Sequence, residues 1–96
     1  MKNYKIKIIV YFWAVGKRTR RVSACKIPLC QGQKATVNNM LFVVDKVEQD
    51  CATVCYCRQD GTLLKTLQVA KGKPASHRPR SMDAGYEYTL KITRFF

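Results

Sequence analysis

At 96 residues and 11.0 kDa the chain is long enough for one compact core and too short for two. Its 47% apolar content excludes a disordered polymer. Eighteen Lys plus Arg against six Asp plus Glu leave a formal charge of +12, which points to an anionic partner: nucleic acid, an acidic membrane face or an acidic protein patch.

Residues 4–15 alternate with a period of two. Tyr4, Ile6, Ile8, Val10 and Phe12 share one side, and Lys5, Lys7, Ile9, Tyr11 and Trp13 the other, which predicts a long strand. Its second side begins charged and turns aromatic, so the far half is expected to be covered or bound on both faces. Gly16 permits a turn, residues 17–21 form a cationic hairpin tip or flank, and 21–27 return as a strand. Pro28 and the stretch around Gly32 interrupt regular structure. Residues 35–37 resume as a short strand, Asn38-Asn39 make a tight turn, and 40–47 form an apolar strand interrupted at Asp45 and Lys46. After a turn at Glu48-Gln49-Asp50, strands at 51–58 and 63–69 are joined through an Asp60-Gly61 hairpin. Residues 70–85 hold two prolines and two glycines and predict a long irregular segment, with one helical turn at most, at 81–85. Residues 86–95 alternate again, with Tyr86, Tyr88, Leu90 and Ile92 on one side and Glu87, Thr89, Lys91 and Thr93 on the other.

Six to seven short strands with closely spaced turn signals predict an all-β fold, a small antiparallel β-barrel or β-sandwich, with residues 1–96 as a single compact β domain. Antiparallel pairing of the first and last strands would merge their even-numbered apolar faces into one core and close the structure.

The five cysteines, Cys25, Cys30, Cys51, Cys55 and Cys57, are an odd number for a disulfide framework. Reduced thiols in a cytoplasmic protein are the simpler expectation. The basic start and apolar run at 8–16 have the outline of a signal peptide, and Val22-Ser23-Ala24-Cys25 resembles a bacterial lipobox. Four cations among residues 17–21 stand where such a leader should be neutral. Nine apolar residues also fall short of the roughly 20 that a membrane-spanning helix needs. No membrane span is therefore expected.

Chemistry-bearing motifs are few. His77 is the only histidine, beside Ser76 and six residues before Asp83, with no arrangement that identifies a nucleophile and its base. No catalytic residue and no cofactor is assigned. Cys25 and Cys30 are loosely spaced for a zinc knuckle, and Cys51, Cys55 and Cys57 would share one strand face, so the thiols are read as small core hydrophobes and no metal is predicted.

The best functional expectation is a non-enzymatic basic module that binds nucleic acid through its phosphates. Lys17, Arg18, Arg20, Arg21, Arg78 and Arg80 serve as anchors, and Tyr11 and Trp13 as stacking groups beside Lys5 and Lys7. The alternative is a protein-interaction or self-assembly domain, a homo-oligomer included, using an edge strand at 22–27 or 35–37. A lipid-anchored surface protein ranks third.

Overall fold

A computed structural model describes residues 4–94. Eight strands follow one another: β1 Tyr4–Ala14, β2 Arg20–Pro28, β3 Lys34–Val37, β4 Met40–Val47, β5 Cys51–Cys57, β6 Leu63–Ala70, β7 Ala75–His77 and β8 Ala84–Arg94. They form two antiparallel four-stranded sheets in the orders β2-β1-β8-β7 and β3-β4-β5-β6. The arrangement is a small sandwich, and the barrel alternative is excluded because neither sheet continues into the other. No helix is present among the described residues, in keeping with the expectation of one helical turn at most, and no helix is long and apolar enough to cross a membrane.

Alternation determines what is inside. The first and last long strands pair antiparallel with Ile6 opposite Ile92, Ile8 opposite Leu90, Val10 opposite Tyr88 and Phe12 opposite Tyr86. Their even-numbered faces thus lie side by side, as the sequence pattern demands. Val37, Phe42, Val44, Val54, Leu67 and Val69 come from the other sheet to complete the core. Ile6, Ile8, Val10, Phe42, Val44, Val54 and Leu90 have no exposed surface at all. The β1–β8 ladder does not close the fold into a barrel; it forms the centre of one sheet.

The turns obey local chemistry. Asn38 and Asn39 have φ values of 52° and 65°, the left-handed pair that a two-residue hairpin needs between Val37 and Met40. Asp45 is the extra residue of a bulge, since pairing shifts between Val44 and Lys46. In the β5–β6 connection hydrogen bonds from the Thr62 side chain and then from its N–H, the latter at 2.9 Å, hold the Asp60 carboxyl below its ordinary pKa.

Two expectations need correction, and the lipobox-like segment is placed. The strands number eight because Ala75–His77, bracketed by Pro74 and Pro79 in the segment read as irregular, adds to the edge of β8. Three residues suffice at an edge, where flanking prolines need not donate to a ladder. The cysteines of β5 do share one face, but it is the outer one: Ala52, Val54 and Tyr56 point inward. Cys51 and Cys55 are half-buried, and only Cys57 is fully covered. The phase of β5 is set by the larger Val54 and Tyr56, which gain more from burial than thiols do. Finally, Val22-Ser23-Ala24-Cys25 lies inside β2, with Cys25 opposite Ile8 and packed on the core, so processing before Cys25 would remove the strand that β2 pairs with. Residues 1–3, where the leader-like pattern begins, and Phe95 of the closing strand lie outside the described residues.

Candidate functional site

The first acidic residue is Asp45; of the strands that precede it, β1 and β2 lie in one sheet and β3 in the other, and the β2-β1-β8-β7 sheet also carries Glu87, with Asp83 just before β8. Asp45, Glu48, Asp50 and Asp60 all fall in the opposite sheet or its turns. Two of them pair there, Glu48 with Lys46 at 3.3 Å and Asp50 with Lys71 at 3.6 Å.

On the outer face of the β2-β1-β8 sheet one row is entirely cationic. Lys7 of β1 stands directly opposite Lys26 of β2 on one side and Lys91 of β8 on the other. Two residues along, Ala24, Ile9 and Thr89 form the next row on that face. A cleft of about 240 Å³ opens among Lys7, Arg21, Ala24 and Lys26. Desolvation by its neighbours, then the fields of Arg21, Lys91 and Lys26, hold the Lys7 ammonium below its ordinary pKa. Like charges directly opposite in a ladder destabilise a sheet. A row of three is therefore a local cost to folding, and an anion seated over it would remove that cost.

The eight residues singled out from sequence do not form one patch. Arg21 and Tyr11 are cross-strand partners two rows beyond the lysines, with Glu87 on the other side of Tyr11, and Arg21 lines the cleft beside Lys7. Lys17 and Arg18 are exposed in the β1–β2 turn. Arg20, one residue from Arg21, faces the opposite way and places its guanidinium 5.8 Å from the Phe12 ring centroid. Arg78 is committed elsewhere: it donates two hydrogen bonds to Glu87, at 3.1 and 2.8 Å, and lies 5.0 Å from the Trp13 ring centroid. Trp13 is thus half-buried, with that guanidinium over its ring. Its indole nitrogen is buried without a hydrogen-bond partner, and a Cβ at Gly85 would lie 3.3 Å from it. Gly85 is the residue opposite Trp13, and a side chain there would crowd Ser81 and the indole, which would have to give by a few tenths of an ångström.

Arg80 is found at a second, larger cleft of about 430 Å³ at the end of the sandwich. Asn38, Met40, Tyr56, Arg80, Tyr86 and Tyr88 line it. The Phe42, Tyr56 and Tyr88 rings form a cluster with centroids 5.2 to 5.5 Å apart, and His77 packs edge-on to Tyr56 at 4.8 Å. Asn38 donates to the Tyr88 hydroxyl at 2.9 Å. Burial, the neighbouring Tyr88 and a hydrogen bond to it push the Tyr56 phenol well above its usual pKa. Ser76 reaches Thr89 on one face of β7 while His77 contacts Tyr56 on the other, so adjacent Ser76 and His77 are turned apart. No group of three or more potential metal ligands is gathered among the described residues.

Lys26 and Lys91, and the tyrosines of the large cleft, escaped the sequence reading. Lys91 was visible on the polar side of the last strand, and registering that strand against β1 would have placed it beside Lys7. The cleft joins residues from β4, β5 and β8, and no local pattern announces it. Comparison with protein-family models, curated proteins and solved structures finds no match.

Proposed function

We propose that this protein is a non-enzymatic module that binds nucleic acid through its phosphates, using the outer face of the β2-β1-β8 sheet. The observation that carries this reading is the Lys26, Lys7 and Lys91 row, with Arg21 in the cleft beside it. Neighbouring strands lie about 4.8 Å apart, so the row presents closely spaced cations to a chain of phosphates. Solubility alone does not call for three lysines in mutual opposition, since dispersed charge supplies it at less cost.

The test is the salt dependence of binding. If Lys7, Arg21, Lys26 and Lys91 each neutralise a phosphate, log K against log salt should fall with a slope near −3 on a single strand (about −0.7 per contact) and somewhat steeper on a duplex. Combined Lys7→Gln, Lys26→Gln and Lys91→Gln changes should reduce that slope by about 2 on a single strand. An unchanged slope would remove this face from the interaction.

Self-assembly is the competing reading, because β2 and β3 both lie at sheet edges. Arg20, Arg21, Lys26 and Lys34 charge those edges, and the pairing of β2 with β1 shifts at Tyr11. Charges and bulges are the devices that discourage edge-to-edge pairing, which favours a monomer in sedimentation.

A further inference from the structure

We infer that the cleft between the β3–β4 turn, β5 and β8 takes a single unstacked nucleobase bearing a phosphate. This rests in part on the reading of the protein as a nucleic-acid binder, but the residues that carry it are different ones, on the other side of the β2-β1-β8 sheet.

The floor is aromatic. Tyr56 and Tyr88 are almost wholly buried, whereas Tyr86 at the cleft is 40% exposed and is held by an edge-on contact with Phe12 at 5.7 Å. A planar heterocycle gains most from such a surface, because each base has a π-face and an unstacked base exposes it to water. Met40 adds a polarizable apolar wall. The volume, about 430 Å³, falls in the range of about 300 to 1,000 Å³ typical of small-ligand sites.

The polar groups match the same occupant. Asn38 is held by its bond to the Tyr88 hydroxyl, which uses one N–H and leaves the amide a carbonyl and a second N–H, the donor and acceptor pair that base edges require. Arg80 lines the cleft, and Arg20 lies over the Phe12 ring that supports Tyr86. No carboxylate lines the cleft among the described residues. Apolar floor, fixed amide and cationic rim together select a flat, hydrogen-bonding, anionic ligand. A duplex cannot supply one, because its bases are stacked and paired.

Two sources carry that chemistry, a free mononucleotide and a single strand, and three probes separate them: a mononucleotide, a short labelled single strand and a duplex of equal length. Anisotropy with the labelled strands, and calorimetric titration with the mononucleotide, are measured for the native chain and for Tyr86→Ala, Arg80→Gln and Lys7→Gln. The exposed positions of Tyr86 and Arg80 make both changes compatible with folding, and a thermal melt checks this. Tyr86→Ala should weaken single-strand binding about 5- to 150-fold, the range for loss of one stacked base, and leave duplex binding unchanged. Arg80→Gln should weaken single-strand binding in the same selective way. Lys7→Gln should weaken both strands alike. Mononucleotide binding that Tyr86→Ala abolishes would identify free nucleotide as a source; single-strand selectivity without it identifies the polymer. If Tyr86→Ala and Arg80→Gln leave single-strand and mononucleotide binding untouched, or if neither ligand binds the native chain, the cleft assignment is wrong. Duplex binding that falls with Lys7→Gln would leave the basic-face reading standing in that event, and its absence beside mononucleotide binding would do the reverse.

Discussion

Arg78 provides a sharp test of the local structure, because its partner Trp13 is the only tryptophan in the chain and reports its own surroundings. The guanidinium covers the indole from 5.0 Å and is anchored by two hydrogen bonds to Glu87, whose side chain is 27% exposed against 52% for Arg78. Partial exposure limits what each contact contributes. A surface ion pair is worth about 0 to 1 kcal/mol and a cation–π contact at an exposed site about 0.5 to 1 kcal/mol. Arg78→Ala should therefore destabilise the fold by about 1 kcal/mol, which lowers Tm by about 4 to 8 °C in a domain of this size. The same change uncovers the ring, so Trp13 emission should shift to the red and acrylamide quenching should rise. Arg78→Lys should recover some stability but not the shielding, since an ammonium lacks the planar fork that both stacks and chelates. Unchanged emission and an unchanged melt in Arg78→Ala would refute the covered-indole geometry. Oligonucleotide added to the native chain should quench Trp13 little, in contrast to the stacking role that its sequence position invites.

Further outcomes follow from the same geometry. Leu90→Ala, at a position with no exposed surface opposite Ile8, should cost about 2 to 5 kcal/mol; a loss under 1 kcal/mol by urea titration would contradict its place at the centre of the core. Burial, then the charge of Lys65, holds His77 below its ordinary pKa of 6.5, so the unfolded chain binds more protons than the folded one. Its contribution is complete above pH 6.5 and is lost as pH falls through the folded value, so the urea midpoint should drop on acidification from about pH 7 to about pH 5. That drop should shrink in His77→Gln, and an identical pH dependence would exclude the histidine as its source. Among the five free thiols Cys30 is exposed and Cys57 buried, while burial raises the pKa of Cys25 and Cys55. Mass-mapped alkylation near neutral pH should label Cys30 first and Cys57 only on unfolding; early labelling of Cys25 would place β2 differently.

Strand content and core faces were legible because period-two patterning and turn chemistry act over a few residues. Tyr4, Ile6, Ile8, Val10 and Phe12 alternate strictly, and Asn38-Asn39 and Asp60-Gly61 are turn formers on local grounds. Legibility ended where the decision was made across strands. Cys55 and Val54 are both apolar neighbours, and only competition between whole strand faces decides which one points inward. Trp13 beside Lys5 and Lys7 reads as an open stacking group until Arg78, distant in sequence, is seen to lie over it. Arg20 and Arg21 read as one cluster, yet the pleat sends them to opposite faces, one toward Phe12 and the other toward Tyr11. The lysine row required strand register, a property of pairs of segments rather than of any one of them.

The most direct measurement of the central claim is a residue-resolved amide shift map, taken as an unlabelled duplex, which the aromatic cleft cannot admit, is added to isotope-labelled protein at low salt. The account predicts its largest changes at Lys7, Arg21, Ala24, Lys26 and Lys91, all receding together as salt is raised. Changes confined to β4, β5 and β6, with the Lys26, Lys7 and Lys91 row silent, would contradict it.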